Sequence, residues 1–459
     1  DYSSFLDLPD APDYWMIFED LFHLYVNNDR PRQALLLADH IEQLRRICHF
    51  SKYDKNFPEP QKSFINTRDS LNQILREEEW EYRYARMHRE SANRSRMDQI
   101  FAMLDHQADV LQQLNSPVTK LVIPAGDSLS ATRPENTITL VFKISRGELF
   151  SWGIEPNHVR FDRRILPQPE FDNAFSDLLD KLQSVKDLEG EPEYLYEHLL
   201  KPWEKTLDNF DQVVIVAFAE LELLPFSALH NGEEWFGLAH KWSRANQLSD
   251  MMNLANANNT RKVKAIVEPL QSKYSESPYS RMIVKDLSFD YNINLLEGKA
   301  ASVSHIIHSD SELFALLFNC PARSDSVDPM LSFVVLSQDS IYGERLDLKV
   351  LIRNSLPGIQ IVLSEHQMNP SGMYKSGTGL MLPLALRLHH KPLVLISTYY
   401  PDQVAAAVLI KRYFRYQSQG YSPLEALQMA RQTVLRDIDA HPAYWSGFEL
   451  YGYSQKKSN

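Results

Sequence analysis

The stretch Gln360-Ile361-Val362-Leu363-Ser364-Glu365-His366-Gln367 places a hydroxyl, a carboxylate and an imidazole directly after an apolar run. Runs of this kind read as buried parallel strands, and parallel sheets hold their reactive groups at the C-terminal ends of such strands. The strand is expected to end at Leu363, break at Ser364-Glu365-His366-Gln367 and loosen into Asn369-Pro370-Ser371-Gly372. His366 would then stand at the mouth of a site, with Glu365 raising its pKa. An imidazole there can move protons, but it needs a nucleophile. Ser364 and Ser371 carry hydroxyls, yet neither lies in a Gly-x-Ser-x-Gly elbow. The chain's two thiols, Cys48 and Cys320, are far apart and form no Cys-x-x-Cys pair, which excludes a disulfide framework and a cysteine-rich zinc site.

Other constellations carry less. His305 and His308 lie at i, i+3 on an expected helix with Asp310 nearby, but no His-Glu-x-x-His pattern surrounds them, and a solvated face is expected. His389 and His390 precede Lys391-Pro392 and read as surface residues. Ser324-Asp325-Ser326-Val327-Asp328-Pro329, with Glu312, is acidic but lacks the ligand order of a calcium loop, and a polar loop is expected. Lys375-Ser376-Gly377-Thr378-Gly379 lacks the strand-to-helix setting of a phosphate loop. No metal and no cofactor is expected.

The bulk numbers set the frame. A chain of 459 residues exceeds one compact core, so two or three domains are expected. Its 15 glycines are too few for an all-β protein built on tight turns, and its net charge of −12 gives no general affinity for nucleic acid or anionic membrane. No run approaches the roughly 18–20 apolar residues that span a bilayer. Two isolated thiols fit a cytoplasmic setting, and Asp1 in place of Met points to a trimmed chain whose upstream part, a signal peptide or further domains included, is unknown.

Along the chain, residues 1–50 read as a helical hairpin. Phe18, Leu21 and Tyr25, then Ala34, Ala38 and Ile41, recur at helical spacing across the turn Asn27-Asn28-Asp29-Arg30-Pro31. The spacing is that of one tetratricopeptide-like repeat or of an ordinary hairpin, and both readings stay open. Residues 51–115 read as a long charged helical arm, with 64–114 free of Pro and Gly. From 116 the period changes. Residues 137–154 predict a hairpin turning at Arg146-Gly147, and helices are expected over 170–184 and 194–207. Apolar strand cores follow at 212–217, 261–269, 311–320, 358–365 and 391–398, separated by helical or loop segments and ending in helices at 402–419 and 423–437. Alternation of this kind predicts an α/β sandwich with a mainly parallel central sheet over 116–459, in which 116–210 forms an N-terminal strand–helix subdomain.

Several of these stretches together resemble one family. "QVVIVAFAELELLPFSALHNGEEWFGLAHKWS" (212–243) is similar to the segment of CHAT domains in which a strand leads to a Leu-Pro-Phe-x-Ala-Leu turn. "YLYEHLLKPWEKTLDNF" (194–210) resembles the preceding helix. "GYSPLEALQMARQTVLRDIDAHPAYWSGFELYGY" (420–453) resembles the family's end, with Ser422-Pro423 opening a helix and His441-Pro442 leading to Trp445 and Phe448. The resemblance implies a caspase-like α/β fold, often preceded by tetratricopeptide repeats, and cysteine peptidase chemistry in active members. The family is largely bacterial and is found in defence and cell-death-like systems. Read from the residues alone, these motifs are structural, because Phe226, Trp445 and Phe448 plant rings in a core while Gly447 and Gly452 relieve crowding.

The resemblance also implies where a His–Cys dyad belongs, at the ends of two adjacent parallel strands. There a thiolate attacks the peptide carbonyl and an imidazole carries the proton. Carried onto Phe318-Asn319-Cys320-Pro321-Ala322, the histidine position falls on Pro321. Carried onto Leu363-Ser364-Glu365-His366, the cysteine position falls on His366. Loss of both members removes a contribution on the order of 10⁶-fold in comparable systems. One catalytic alternative is an exchanged dyad of Cys320 and His366, although Cys320 is one residue out of register and neighbouring strand residues point to opposite faces. A buried, inert Cys320 is the competing reading, since free cysteine often fills apolar cores.

The expectation is a caspase-like pseudo-protease that binds another protein or peptide as scaffold or regulatory subunit, through its degenerate cleft and the helical N-terminal region. The alternative is an active cysteine endopeptidase using Cys320 and His366. A third reading makes 64–114 an oligomerisation arm, with the oligomeric state itself open.

Overall fold

The computed structural model describes residues 12–52, 136–156, 158–248, 260–269, 279–307, 313–324, 332–368, 381–387, 389, 392–399 and 402–452. The chain divides into two compact units, Asp1–Ala131 and Thr132–Asn459. In the first, helices α1 (Pro12–Asn27) and α2 (Pro31–Lys52) form a hairpin. Its turn holds Asp29 at a positive φ, and Pro31 opens the second helix, where a missing N–H costs nothing. Phe22, Tyr25, Ala34, Leu35, Ala38 and Ile41 are buried, so the small side chains lie in the packed face. The arm expected over 64–114 lies outside the described residues, as does any second helix pair.

In the second unit, thirteen strands among the described residues form one sheet. They are β1 (Thr137–Ser145), β2 (Glu148–Ile154), β3 (Val159–Ile165), β4 (Gln212–Ala217), β5 (Trp242–Arg244), β6 (Lys262–Pro269), β7 (Asn292–Gly298), β8 (Ala315–Ser324), β9 (Phe333–Asp339), β10 (Gly343–Asp347), β11 (Gln360–Met368), β12 (Leu393–Ser397) and β13 (Phe448–Tyr451). The main path runs β10-β9-β8-β11-β12-β13-β5-β4-β1-β2-β3, and β6 and β7 extend from the first half of β8. The sheet is two parallel blocks set head to tail. β7, β6, β8, β11 and β12 run one way, β13, β5, β4 and β1 the other, and the antiparallel β12–β13 pair joins them. This is the expected mainly parallel caspase-like sheet.

Local chemistry explains the elements. Arg146 and Gly147 both take positive φ, the two-residue turn that matches strand twist, so Ser145 pairs with Glu148. Three helices cover one face of the block that contains β6, β8, β11 and β12: α5 (Ser280–Leu287), α6 (Gln403–Ser418) and α7 (Pro423–Asp437), after α3 (Gln168–Ser184) and α4 (Glu191–Leu199) earlier in the chain. Ser422 caps α7 in a reciprocal box with Glu425. Val263, Ala265, Leu317, Val362, Leu395, Ile410, Phe414 and Leu427 interdigitate beneath these helices. The helix expected over 194–207 is instead α4, a short 3₁₀ turn at Lys201–Trp203 and one further turn at Glu204–Leu207, because Pro202 cannot donate to a continuing helix.

The two family-like motifs meet where β5 pairs with β13, next to the β12–β13 joint. Buried Arg244 on β5 pairs with buried Glu449 on β13 and donates to the carbonyl of Leu224, the residue before Pro225-Phe226. Its guanidinium also lies 5.0 Å from the Phe226 ring. Arg431 on α7 donates to the carbonyls of Gly237 and Phe448, so the first motif and the last strand share partners. A Cβ added at Gly447 would lie 2.8 Å from Cζ of buried Tyr399, and Gly447→Ala is expected to cost about 1–3 kcal/mol through overpacking, read from the denaturant midpoint.

Candidate functional site

β8 and β11 are adjacent and parallel, so the two strand ends that the resemblance singles out do lie side by side. Ala315 to Phe318 face Gln360 to Leu363 in register. A bulge then follows on β8, after which Pro321 faces Glu365, Ala322 faces His366 and Ser324 faces Met368. The strand therefore does not break at Ser364-Glu365-His366. It continues to Met368 because β8 also continues to Ser324, and β9 pairs with Ala322 and Arg323 where β6 has ended. His366 stands inside the sheet and not at an open tip, and it is fully buried.

Both ring nitrogens of His366 have partners. Nδ1 lies 2.6 Å from the carbonyl oxygen of Ser397 on β12, and Nε2 lies 2.8 Å from Oγ of Ser324 on β8. A carbonyl can only accept, so Nδ1 carries the proton. Burial lowers the pKa to about 4, against a modest opposing contribution from the Ser397 carbonyl, so the ring is neutral near pH 7 and Nε2 accepts from the Ser324 hydroxyl. The expected rise in this pKa from Glu365 is thus reversed. Neighbouring strand residues face opposite ways, and the Glu365 charge falls on Cys320. Ser324→Ala leaves a buried imidazole nitrogen without a donor and is expected to cost about 1–3 kcal/mol in a urea titration.

Cys320 is buried in the bulge region, and burial followed by the Glu365 carboxylate pushes its thiol well above the ordinary range. A thiol so placed stays protonated and unreactive at neutral pH. Glu365 itself is buried beside Ser280, the first residue of α5, whose Oγ lies 3.5 Å from Oε1. Ser364 donates to the Phe318 carbonyl across the strand pair, and Pro321 is half-buried. Among the described residues, no hydrogen bond joins Cys320 to His366. The Ser324–His366 contact has the form of a hydroxyl on a base, but both side chains are sealed from solvent, leaving no path for a carbonyl carbon to reach Oγ.

Of the remaining candidates, His305 and His389 are among the described residues. His305 is tied to Ser302 (2.8 Å), and no cluster of three metal-ligating side chains exists among the described residues. His389 is half-buried with Nε2 3.1 Å from the Leu351 carbonyl, and so is no free surface residue. His308, Asp310, Glu312, Ser371, His390, 325–329 and 375–379 lie outside the described residues, and the side chain of Cys48 is likewise not described. Ser324 and Ser397, the partners of His366, carry no signal in the sequence, because one contributes a backbone carbonyl and the other closes a strand 42 residues away.

The CHAT domain family profile matches residues 192–453, more than half of the chain. The chain belongs to the CHAT domain family. Solved structures match the chain at low identity. Porphyromonas gingivalis RgpB, solved as a complex of its pro- and mature domains, shares 10% identity over 62% of this chain and 76% of its own, with a TM-score of 0.38. Saccharomyces cerevisiae separase in complex with securin shares 10% identity over 78% of this chain, with a TM-score of 0.49, and this CHAT protein spans 34% of that chain. No curated protein matches it in sequence. Among the described residues, no helix is long and apolar enough to cross a membrane.

Proposed function

We propose that this CHAT protein is a pseudo-protease: a caspase-like domain without a working dyad that binds a protein or peptide as scaffold or regulatory subunit. The observation that carries the reading is that both nitrogens of His366, the residue on which the family resemblance puts the nucleophile, are committed to Ser324 and Ser397. Pro321 at the histidine's position has no titratable group, and the buried, protonated Cys320 supports the same reading. The occupant would be an extended segment of another protein, held in the degenerate cleft by main-chain hydrogen bonds, with the helical N-terminal region adding a second contact. A larger cytoplasmic assembly of the defence or signalling kind, in a bacterium, is the setting in which such a subunit acts.

Thiol labelling tests this. In a Cys48→Ser background, Cys320 is expected to react with iodoacetamide at neutral pH at least about a hundredfold more slowly than in the urea-denatured chain. Labelling faster than the denatured control would favour an active cysteine endopeptidase built on Cys320 and His366.

A further inference from the structure

We propose that the outer edge of β7 joins two copies of this chain, by antiparallel pairing of β7 with its twin. The surface is separate from the cleft, so the inference does not depend on the protein-binding reading. Among the described residues the sheet has three strands paired on one side only: β3, β10 and β7. Exposed edges invite pairing, and proteins blunt them with charge. β3 is blunted by Arg160, Asp162, Arg163 and Arg164. Two copies paired about Asp162 would set Asp162 against itself and Arg160 against Arg164, and like charges directly opposite are destabilising. β10 has five residues, three of them charged, and pairing about Arg345 sets that residue against itself.

β7 differs. Glu297 is its sole charged residue, and Leu295 at mid-strand is 43% exposed. Two copies paired antiparallel about Leu295 bring Leu295 against Leu295, Asn294 against Leu296 and Ile293 against Glu297, so no like charges meet. The flank is complementary as well. Leu295 lies opposite Ala265, which packs in the core beneath α5, so Leu295 projects on the α5 side. Arg281 in the first turn of α5 bonds to Glu297 and Glu268, which sets that turn over the C-terminal end of β7. Lys285 is exposed and stands one turn after Arg281 on the same helix face. The twin's Glu297, opposite Ile293, comes beside Lys285, and two-fold symmetry makes this contact twice.

Sedimentation equilibrium on the full chain tests the proposal. A dimer is expected, converted to monomer by Leu295→Asp with the circular dichroism spectrum unchanged. Lys285→Glu is expected to weaken association about tenfold, and adding Glu297→Lys to it is expected to restore the dimer, a recovery that a folding defect would not give. A monomeric wild-type chain, a dimer indifferent to Leu295→Asp, or a charge swap without recovery would overturn it.

Discussion

Glu449→Ala is expected to cost about 3–5 kcal/mol, because it leaves the buried Arg244 guanidinium without its hydrogen-bonded counter-charge. A typical domain has only about 5–15 kcal/mol of stability to lose. The pair joins β5 to β13 and holds the carbonyl of Leu224, so the damage should spread through the β4–β5–β13 side of the sheet. Restoring shape without charge separates the cost of an orphaned charge from the worth of the pair. Arg244→Met combined with Glu449→Leu is expected to recover most of the loss, since well-packed apolar replacements of buried pairs are often neutral. Urea midpoints of the single and double variants measure both quantities. A double variant as unstable as the single one would mean that the guanidinium's contacts with Leu224, Phe226 and Trp242 dominate.

The second large effect is acid lability centred on His366. Its folded pKa, about 4, lies below the ordinary value of 6.5, so the unfolded chain binds the extra proton first as pH falls. The stability tied to the neutral ring is complete above about pH 6.5 and is lost as pH drops toward 4. The size is about 3 kcal/mol at one proton and 1.36 kcal/mol per unit. His40 on α2 is also buried with a pKa near 4, so the wild-type profile contains both groups. The difference between wild type and His366→Gln isolates the one of interest. In chemical denaturation between pH 7 and 4, the wild type should lose about 3 kcal/mol more than the variant. Equal slopes for the two proteins would place the ring in solvent.

The family was legible in the sequence because its marks are packing residues with steep local demands. Leu224-Pro225-Phe226 ends a strand and buries a ring, Ser422-Pro423 with Glu425 starts a helix, and Gly447 leaves room for Tyr399. The long apolar cores of β4, β6, β8, β11 and β12 were legible for the same reason. The strand β3 was not, because Arg163 breaks the alternation of Val159, Phe161 and Ile165, and the charges at Arg160, Asp162, Arg163 and Arg164 that suit an edge mask it. The position of His366 inside the sheet was also hidden. It depends on β8 running on to Ser324 and on β9 replacing β6 beside it, both non-local facts. The polar letters Ser364-Glu365-His366 read as a loop until the partners of each side chain are known.

The most direct measurement is hydrolysis of a diverse peptide library by the wild-type chain, set against Cys320→Ala and His366→Ala. A pseudo-protease gives no cleavage above background with any of the three proteins. Turnover by the wild type that disappears in both variants would contradict it.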